Sequence, residues 1–321
     1  THTVELNASV GLEMIWVEPG TFMMGSPESE ANRSTIETQH QVTLTRGFYL
    51  GKYEVTQAQY EAVMTGNLAG LSPNPSQFNG NPNRPVEKIS WEDIQVFLSR
   101  LNEREGNASL LPERWKYSLP TEAQWEYACR AGTTTVYSGG DTISPENANY
   151  VDSGYSQTRD VGQYSANPWG FFDMHGNVWE WSSNCYYIFD NNDQTDPNGP
   201  SDGSNRITRG GAYNQPSKNT RSATRTNRPK STTLDTVGFR LAFKYIPNRE
   251  PIDLNFTGSL AFNENLPIGT TLAEFNASDP DGDSLTYLLV DENESTNNHL
   301  FTLDQNGTLK TAVLFDYETN A

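Results

Sequence analysis

The segment ITRGGAYNQPSKNTRSATRTNRPK, residues 207–230, gathers six of the 22 Lys and Arg residues and no carboxylate. The whole chain holds 40 Asp and Glu and a formal net charge of −18, so this basicity is local. Arg209, Arg221 and Arg225, with Arg240 further on, are planar donors suited to pairing carbonyls and acids inside ordered loops, a structural role. Between them lie Tyr213, Asn214, Gln215, Ser217, Lys218, Asn219, Thr220, Thr224, Thr226 and Arg228. These side chains are mostly small, polar and adaptable, which is the chemistry of a recognition surface on a rigid scaffold.

The other reactive residue types mainly exclude. Cys129 and Cys185 are the only cysteines, which permits one disulfide in an oxidising compartment and rules out a multi-cysteine metal site. His2, His40, His175 and His299 are isolated, so no histidine metal cluster or Ser-His-Asp set can be read. His175, in DMHGN, reads as a hydrogen-bonded turn residue. Glu122 and Glu126 share a helix face; Glu122 belongs to a first turn and Glu126 is expected to pair with an arginine, so they are not read as a glycosidase pair. GGAYNQ lacks the GK[ST] end of a phosphate loop.

The elements that must position these residues follow from caps and periodicity. Thr56 caps TQAQYEAVM, Ser90 with Asp93 opens a helix through Ile94, Phe97, Leu98 and Leu101, and Thr121 with Gln124 opens TEAQWEYACRAG. All three are expected to be short. MIWVEPGTFMMGS and HQVTLTRGFYLGKYEVT read as strands, and 135–247 reads as mostly loop. From Pro251 onward there are twelve acids and the single base Lys310, which with the prolines of PNREP marks a boundary. The expected domains are 1–247 and 248–321. In the second, LAFNENLP, TLAEFNASDPDGD, SLTYLLVD and LFTLDQNGTLKT read as short strands of an all-β sandwich. A sequence pI near 4.6 argues against nucleic acid. No apolar run reaches 18 residues and no signal peptide opens the chain, which reads as a mature, processed, soluble protein without membrane insertion.

FMMGS, GKYEVTQAQY, RPVEKISWEDI, SLPTEAQWEYACRAGT, NPWGFFDMHGNVWEW, TRGGAY and VGFRLA, in that order over about residues 12–245, resemble the formylglycine-generating, or sulfatase-modifying-factor, family. The resemblance implies a mixed α/β fold with little regular secondary structure, related to C-type lectins and stapled by calcium. The family's oxidases bind copper(I) through two cysteines after RGG-S-[WY]. Those positions fall on Gln215 and Thr220, with Ala212 in place of the serine, so no copper is expected: a soft ion wants thiolates. The family's calcium positions fall on Asn149, Asp152 (or Ser153) and the carbonyls of Tyr150 and Tyr155 at one site. At the other they fall on Asp173 and Glu180 with the carbonyls of Gly176 and Val178. All are hard oxygen donors.

The tail resembles a bacterial cadherin repeat, incomplete at its end, which implies further repeats beyond it. Glu264, Asp279, Asp281, Asp316 and Glu318 fall at the calcium positions of such repeats, and the resemblance implies that Asn248 or Glu250 completes the site from the linker. The 207–233 layout also looks like the binding version of the fold found in variable proteins of diversity-generating retroelements.

Together these readings predict an extracellular or cell-surface, calcium-stabilised binding or adhesion module. Its ligand surface lies around 212–233, its partner is a protein or glycan of a cell surface or matrix, and the domain is not expected to be an enzyme. The alternatives are an oxidase or other modifying enzyme using non-cysteine residues, and a structural spacer in a surface filament.

Overall fold

Each helix begins where a side chain can take the free amides of the first turn. In the computed structural model, which describes residues 1–200, 202–259, 261–280, 283–290 and 297–315, the helices are α1 (Gln57–Met64), α2 (Trp91–Asn107) and α3 (Glu122–Arg130). Thr56 with Gln59, Ser90 with Asp93 and Thr121 with Gln124 form complete capping boxes, each cap contributing about 1 kcal/mol. α3 stops at Ala131 and Gly132, both in the left-handed region (φ 48° and 84°). α2 runs for 17 residues, longer than expected. Its buried stripe of Ile94, Phe97, Leu98 and Leu101 meets no glycine or proline before Gly106.

The strands of the first unit, Thr1–Ile246, are β1 (His2–Asn7), β2 (Val10–Val17), β3 (Gly20–Met24), β4 (His40–Leu44), β5 (Phe48–Gly51), β6 (Trp115–Ser118), β7 (Trp179–Cys185), β8 (Gln194–Thr195), β9 (Asn205–Arg209), β10 (Arg225–Pro229), β11 (Val237–Phe239) and β12 (Ala242–Tyr245). Three sheets result, ordered β1-β2-β5-β12-β6, β3-β4-β8 and β10-β9-β7-β11. In the five-stranded sheet the register sets Trp16, Tyr49, Phe243 and Tyr117 opposite one another across four strands. Cross-strand aromatic pairs of this kind hold a sheet in one register. One core gathers Met14, Phe97, Phe239 and Leu241; a second gathers Val17, Leu50, Trp125 and Phe171.

The third sheet lies in the region expected to be mostly loop. Its strands, among them NRITR and RTNRP, carry arginines and threonines at buried positions, so neither the apolar alternation of a half-buried strand nor an aliphatic run marks them. Residues 135–178 do lack strands, as expected, and hold one 3₁₀ turn, Val151–Ser153.

The second unit, Pro247–Ala321, contains β13 (Ile252–Gly258), β14 (Thr271–Ser278), β15 (Phe301–Leu303) and β16 (Thr308–Thr311), ordered β13-β14-β16-β15 and antiparallel throughout. A small core unites Leu272, Ala273 and Leu309 with flanking Phe262, Phe275 and Phe301. The described parts of LAFNENLP and SLTYLLVD form no strand. Leu288 and Val290 are 77% and 69% exposed, and β propensity without a packing partner does not build a ladder.

On β12, Lys244 donates from Nζ to Gln124 Oε1 at 3.1 Å, and burial pushes its ammonium down to about 8. The folded value lies below the unfolded one, so the charged form costs stability below pH 8, and the cost disappears as pH rises toward about 10.4. Lys244→Met is therefore expected to raise the melting temperature at pH 7, with the gain shrinking between pH 8 and 10; a gain independent of pH would contradict this cause.

Candidate functional site

The 207–230 segment is pinned at both ends. β9 and β10 pair antiparallel with Arg209 opposite Arg225. After β9 the chain turns through Gly210 and Gly211 (φ 94° and 81°). A Cβ on Gly211 would stand 2.5 Å from Thr220 Cγ2 and 2.8 Å from the Asn219 carbonyl, so only glycine fits this close approach. A 3₁₀ turn, Ser217–Thr220, then leads back toward β10. Neighbouring segments hold the connector: the Val151 amide donates to the Gln215 carbonyl at 3.0 Å, and the Tyr137 hydroxyl to the Ser217 carbonyl at 3.0 Å.

Beneath the connector lies an ion-pair network. Arg209, fully buried, donates to Glu122 at 2.9 Å and Glu126 at 2.5 Å, and to the carbonyls of Ser222 and Thr224. Arg225 takes both Glu122 oxygens at 2.7 Å, and Arg130 takes Glu126 at 2.9 Å. Arg221 grips both Glu37 oxygens, at 2.9 and 2.7 Å. Arg240 pairs with Glu180 at 2.8 Å and donates to the carbonyls of Gly51 and Phe172. Glu126 is held below the usual carboxylate range by Arg209 and Arg130 acting against its burial. The four arginines thus have the structural role expected, and Glu122 and Glu126 have no oxygen free for acid–base work.

What remains outward is mostly uncharged. Asn214 and Lys218 are exposed; Gln215, Ser217, Asn219, Thr226 and Arg228 are half-buried. Three expected surface residues turn inward instead. Tyr213 is buried with its hydroxyl on Asp235, Thr220 is fully buried and donates to the Ser217 carbonyl, and Thr224 is buried with its hydroxyl on the Lys218 carbonyl. Thr220 turns inward because it closes the 3₁₀ turn, whose faces alternate within one or two residues; Tyr213 and Thr224, outside that turn, support the connector from either side of it. A cavity of about 340 Å³ opens between the connector and residues 32–37, lined by Gln215, Lys218, Asn219, Thr226 and Arg228 with Asn32 and Ser34. Asn32 and Ser34 were not foreseen, and no local pattern marks them: their role arises only from the fold.

The positions aligned with the copper cysteines are already engaged. Gln215 Oε1 accepts from Asn219 at 2.8 Å, and the Thr220 hydroxyl donates as above. Cys129 and Cys185 are free thiols, both buried; burial pushes Cys129 up to about 12. His175 donates from Nδ1 to the Thr220 carbonyl at 2.8 Å and accepts at Nε2 from the Ser138 amide and hydroxyl. Burial pushes it down to about 4, so it is a neutral brace, in keeping with the turn role expected.

The acid sets are placed unevenly. Asn149 is buried, donates to the Gln157 carbonyl and accepts from the Ser153 hydroxyl at 2.8 Å, while Asp152 and Tyr155 are exposed and Tyr150 is buried. Asp173 is buried, accepts from the Gly162 amide and is pushed up to about 6, chiefly by burial. A third carboxylate, unforeseen, joins it: Glu54 accepts from the Asn177 side chain and the Val178 amide, and burial with Asp173 and Glu180 nearby drives it well up. Gly176 donates its amide to the Gly210 carbonyl. Glu54, Asp173 and Glu180 are thus three buried acids close to the buried guanidinium of Arg240, and their hard oxygens are of the type a divalent cation takes. Among the described residues, no three His, Cys, Asp or Glu side chains converge at ligating spacing, so main-chain carbonyls would have to complete the shell. Of the tail set, Glu264 and Asp279 are described, and Asp281, Asp316 and Glu318 lie outside the described residues.

The description "Sulfatase-modifying factor enzyme 1-like domain" matches residues 3–245. The mouse formylglycine-generating enzyme is 22% identical, over 74% of this chain and 77% of that protein. Among solved structures, Treponema denticola variable protein 1 superposes with a TM-score of 0.66 at 26% identity, covering 75% of this chain and 98% of that one. PvdO from Pseudomonas aeruginosa superposes with a TM-score of 0.65 at 24% identity, covering 76% and 98%, a likeness of fold.

Glu122→Gln leaves Arg209 and Arg225 short of counter-charge in a closed interior, and is expected to cost about 3–5 kcal/mol. Denaturant titration should show a lower midpoint with an unchanged slope; a loss under 1 kcal/mol would mean that the network is not what holds the connector.

Proposed function

The chain belongs to the sulfatase-modifying factor enzyme 1-like family, and from that premise we propose that its first unit is a binding module whose ligand surface is the outward face of residues 213–228. The observation that carries this reading is the state of Gln215 and Thr220. An amide and an alcohol stand where the resemblance requires thiolates, and both are hydrogen-bonded to their own turn. Neither is a ligand for copper(I), and the two thiols present are buried elsewhere. The likeness to a protein described as variable supports the same reading. A surface that tolerates exchange of its outward residues needs its supports buried, and here they are Arg209, Arg221 and Arg225. Diversification of 212–233 is part of the proposal.

On this reading the module is calcium-stabilised. Asp173 with Glu54 and the carbonyls near them would hold one ion, and Asn149 with Ser153 or Asp152 another. The second unit serves as a cadherin-like repeat of an extracellular or surface-displayed protein, and the partner is a protein or glycan of a cell surface or matrix.

Two outcomes are expected. The double variant Gln215→Ala/Lys218→Ala should change stability by less than about 0.5 kcal/mol and weaken capture on glycan and cell-surface protein arrays at least tenfold; undiminished capture would move the surface elsewhere. Calcium at 100 times its dissociation constant should stabilise the protein by about 2.7 kcal/mol, less in Asp173→Asn. A melting temperature indifferent to calcium and to chelator would contradict the calcium assignment.

A further inference from the structure

The arginines beneath the connector each have a carboxylate, but among the described residues two on the opposite face of the β9–β10 ladder do not. Arg206 on β9 and Arg228 on β10 are register partners, so their side chains leave the same face of the ladder side by side. Arg206 lies 4.1 Å from the ring centre of Trp91, and Arg228 lies 5.3 Å from that of Trp179. Arg206 donates to the Ser183 carbonyl at 2.8 Å. Both Nε groups are buried without an acceptor, and among the described residues no carboxylate comes within 4.0 Å of either guanidinium. Burial also pushes Arg228 below its ordinary value.

Such an arrangement opposes folding on two counts. Like charges opposite each other across a ladder repel, and a half-buried guanidinium with an unmet donor loses hydration without return. The tryptophan faces offset part of this through cation–π contact, but they leave in-plane N–H groups unused, both Nε–H groups among them. Those groups are the ones that bind a planar carboxylate or a sulfate through paired hydrogen bonds. Arg228 also lines the cavity described above, where Lys218 is exposed and, among the described residues, has no carboxylate within 4.0 Å.

We infer that Arg228 and Arg206 form an oxyanion subsite at the base of the binding surface, and that the ligand is a saccharide bearing carboxylate or sulfate groups. This rests on the binding-module reading and adds the ligand's charge and class to it. The saccharide is favoured over an acidic peptide by the rest of the lining. Glu37, Arg221 and Arg225 also line the cavity but are spent in buried ion pairs; Asn32, Ser34, Gln215, Asn219 and Thr226 offer amides and hydroxyls to a hydroxyl-rich ligand, and the aromatic residue of the lining, Trp179, is itself buried.

The test is calorimetric titration of the whole chain at 150 mM NaCl with four probes: tetragalacturonate, a sulfated heparin tetrasaccharide, maltotetraose and tetraglutamate. Binding of tetragalacturonate, the heparin tetrasaccharide or both, with maltotetraose at least tenfold weaker, is expected, and which of the two binds identifies the anion as carboxylate or sulfate. Arg228→Gln and Arg206→Gln should each weaken that binding at least tenfold. Lys230→Gln, on an exposed residue paired with Glu92, should leave it within twofold. Both arginine variants should melt at or above the wild-type temperature without ligand, since a repulsion is relieved; a marked fall would show a structural role and overturn the subsite. It is equally overturned by binding of tetraglutamate alone, by equal binding of maltotetraose, by no binding of any probe, or by arginine variants that bind as well as wild type. If Gln215→Ala/Lys218→Ala abolishes capture on arrays while Arg228→Gln does not, the binding surface stands and the oxyanion subsite falls.

Discussion

Glu122 and Glu126 on α3, shared among Arg209, Arg225 and Arg130, form the constraint on which the surface depends. Each guanidinium is satisfied twice over, by carboxylate and by main-chain carbonyl; for Arg209 the carbonyls, Ser222 and Thr224, belong to the connector itself, while Arg225 takes those of Ile36 and Tyr187 and Arg130 those of Gly25 and Thr135. A loop rich in Asn, Ser and Thr cannot bury enough apolar surface to order itself. Here the order is imposed from beneath, by charges that have no access to water. A buried network of this kind contributes little net stability compared with an apolar core of the same volume. What it supplies is a single arrangement, because any slip of the connector strands a charge.

The same device recurs around the molecule with different balance. Arg221 with Glu37 ties the connector to residues 30–37, and Arg240 with Glu180 ties β11's end to β7. At Glu54 and Asp173 the acids outnumber the cations, and at Arg206 and Arg228 the cations stand alone. Charge left over inside an otherwise balanced interior is the ground for the cation proposed at the first place and the anion proposed at the second.

Much of this was legible before the fold was known, for physical reasons that differ by residue. The capping boxes at Thr56, Ser90 and Thr121 are local, three residues long, and every one formed. The structural role of Arg209, Arg221, Arg225 and Arg240 followed from guanidinium chemistry within an acidic chain. Their partners did not: Glu37 is 184 residues from Arg221, and Glu122 is 87 residues from Arg209. The sheet formed by β10, β9, β7 and β11 was missed because arginine and threonine fill positions where periodicity looks for aliphatic side chains. Tyr213, Thr220 and Thr224 were placed on the surface because polarity and exposure usually coincide, and the connector breaks that coincidence by burying the two threonine hydroxyls against its own carbonyls and the Tyr213 hydroxyl against Asp235.

The central claim is that the first unit holds a partner without transforming it, since sulfur is absent where the family's copper chemistry requires it. Its most direct test is an oxygen-electrode assay of the protein incubated with copper or iron, using cysteine- and tyrosine-containing peptides, with bound metal counted in the same sample. The account predicts no stoichiometric redox metal and no oxygen uptake above the peptide blank. One equivalent of copper or iron retained beside Gln215, with oxygen consumed and peptide oxidised, would contradict it.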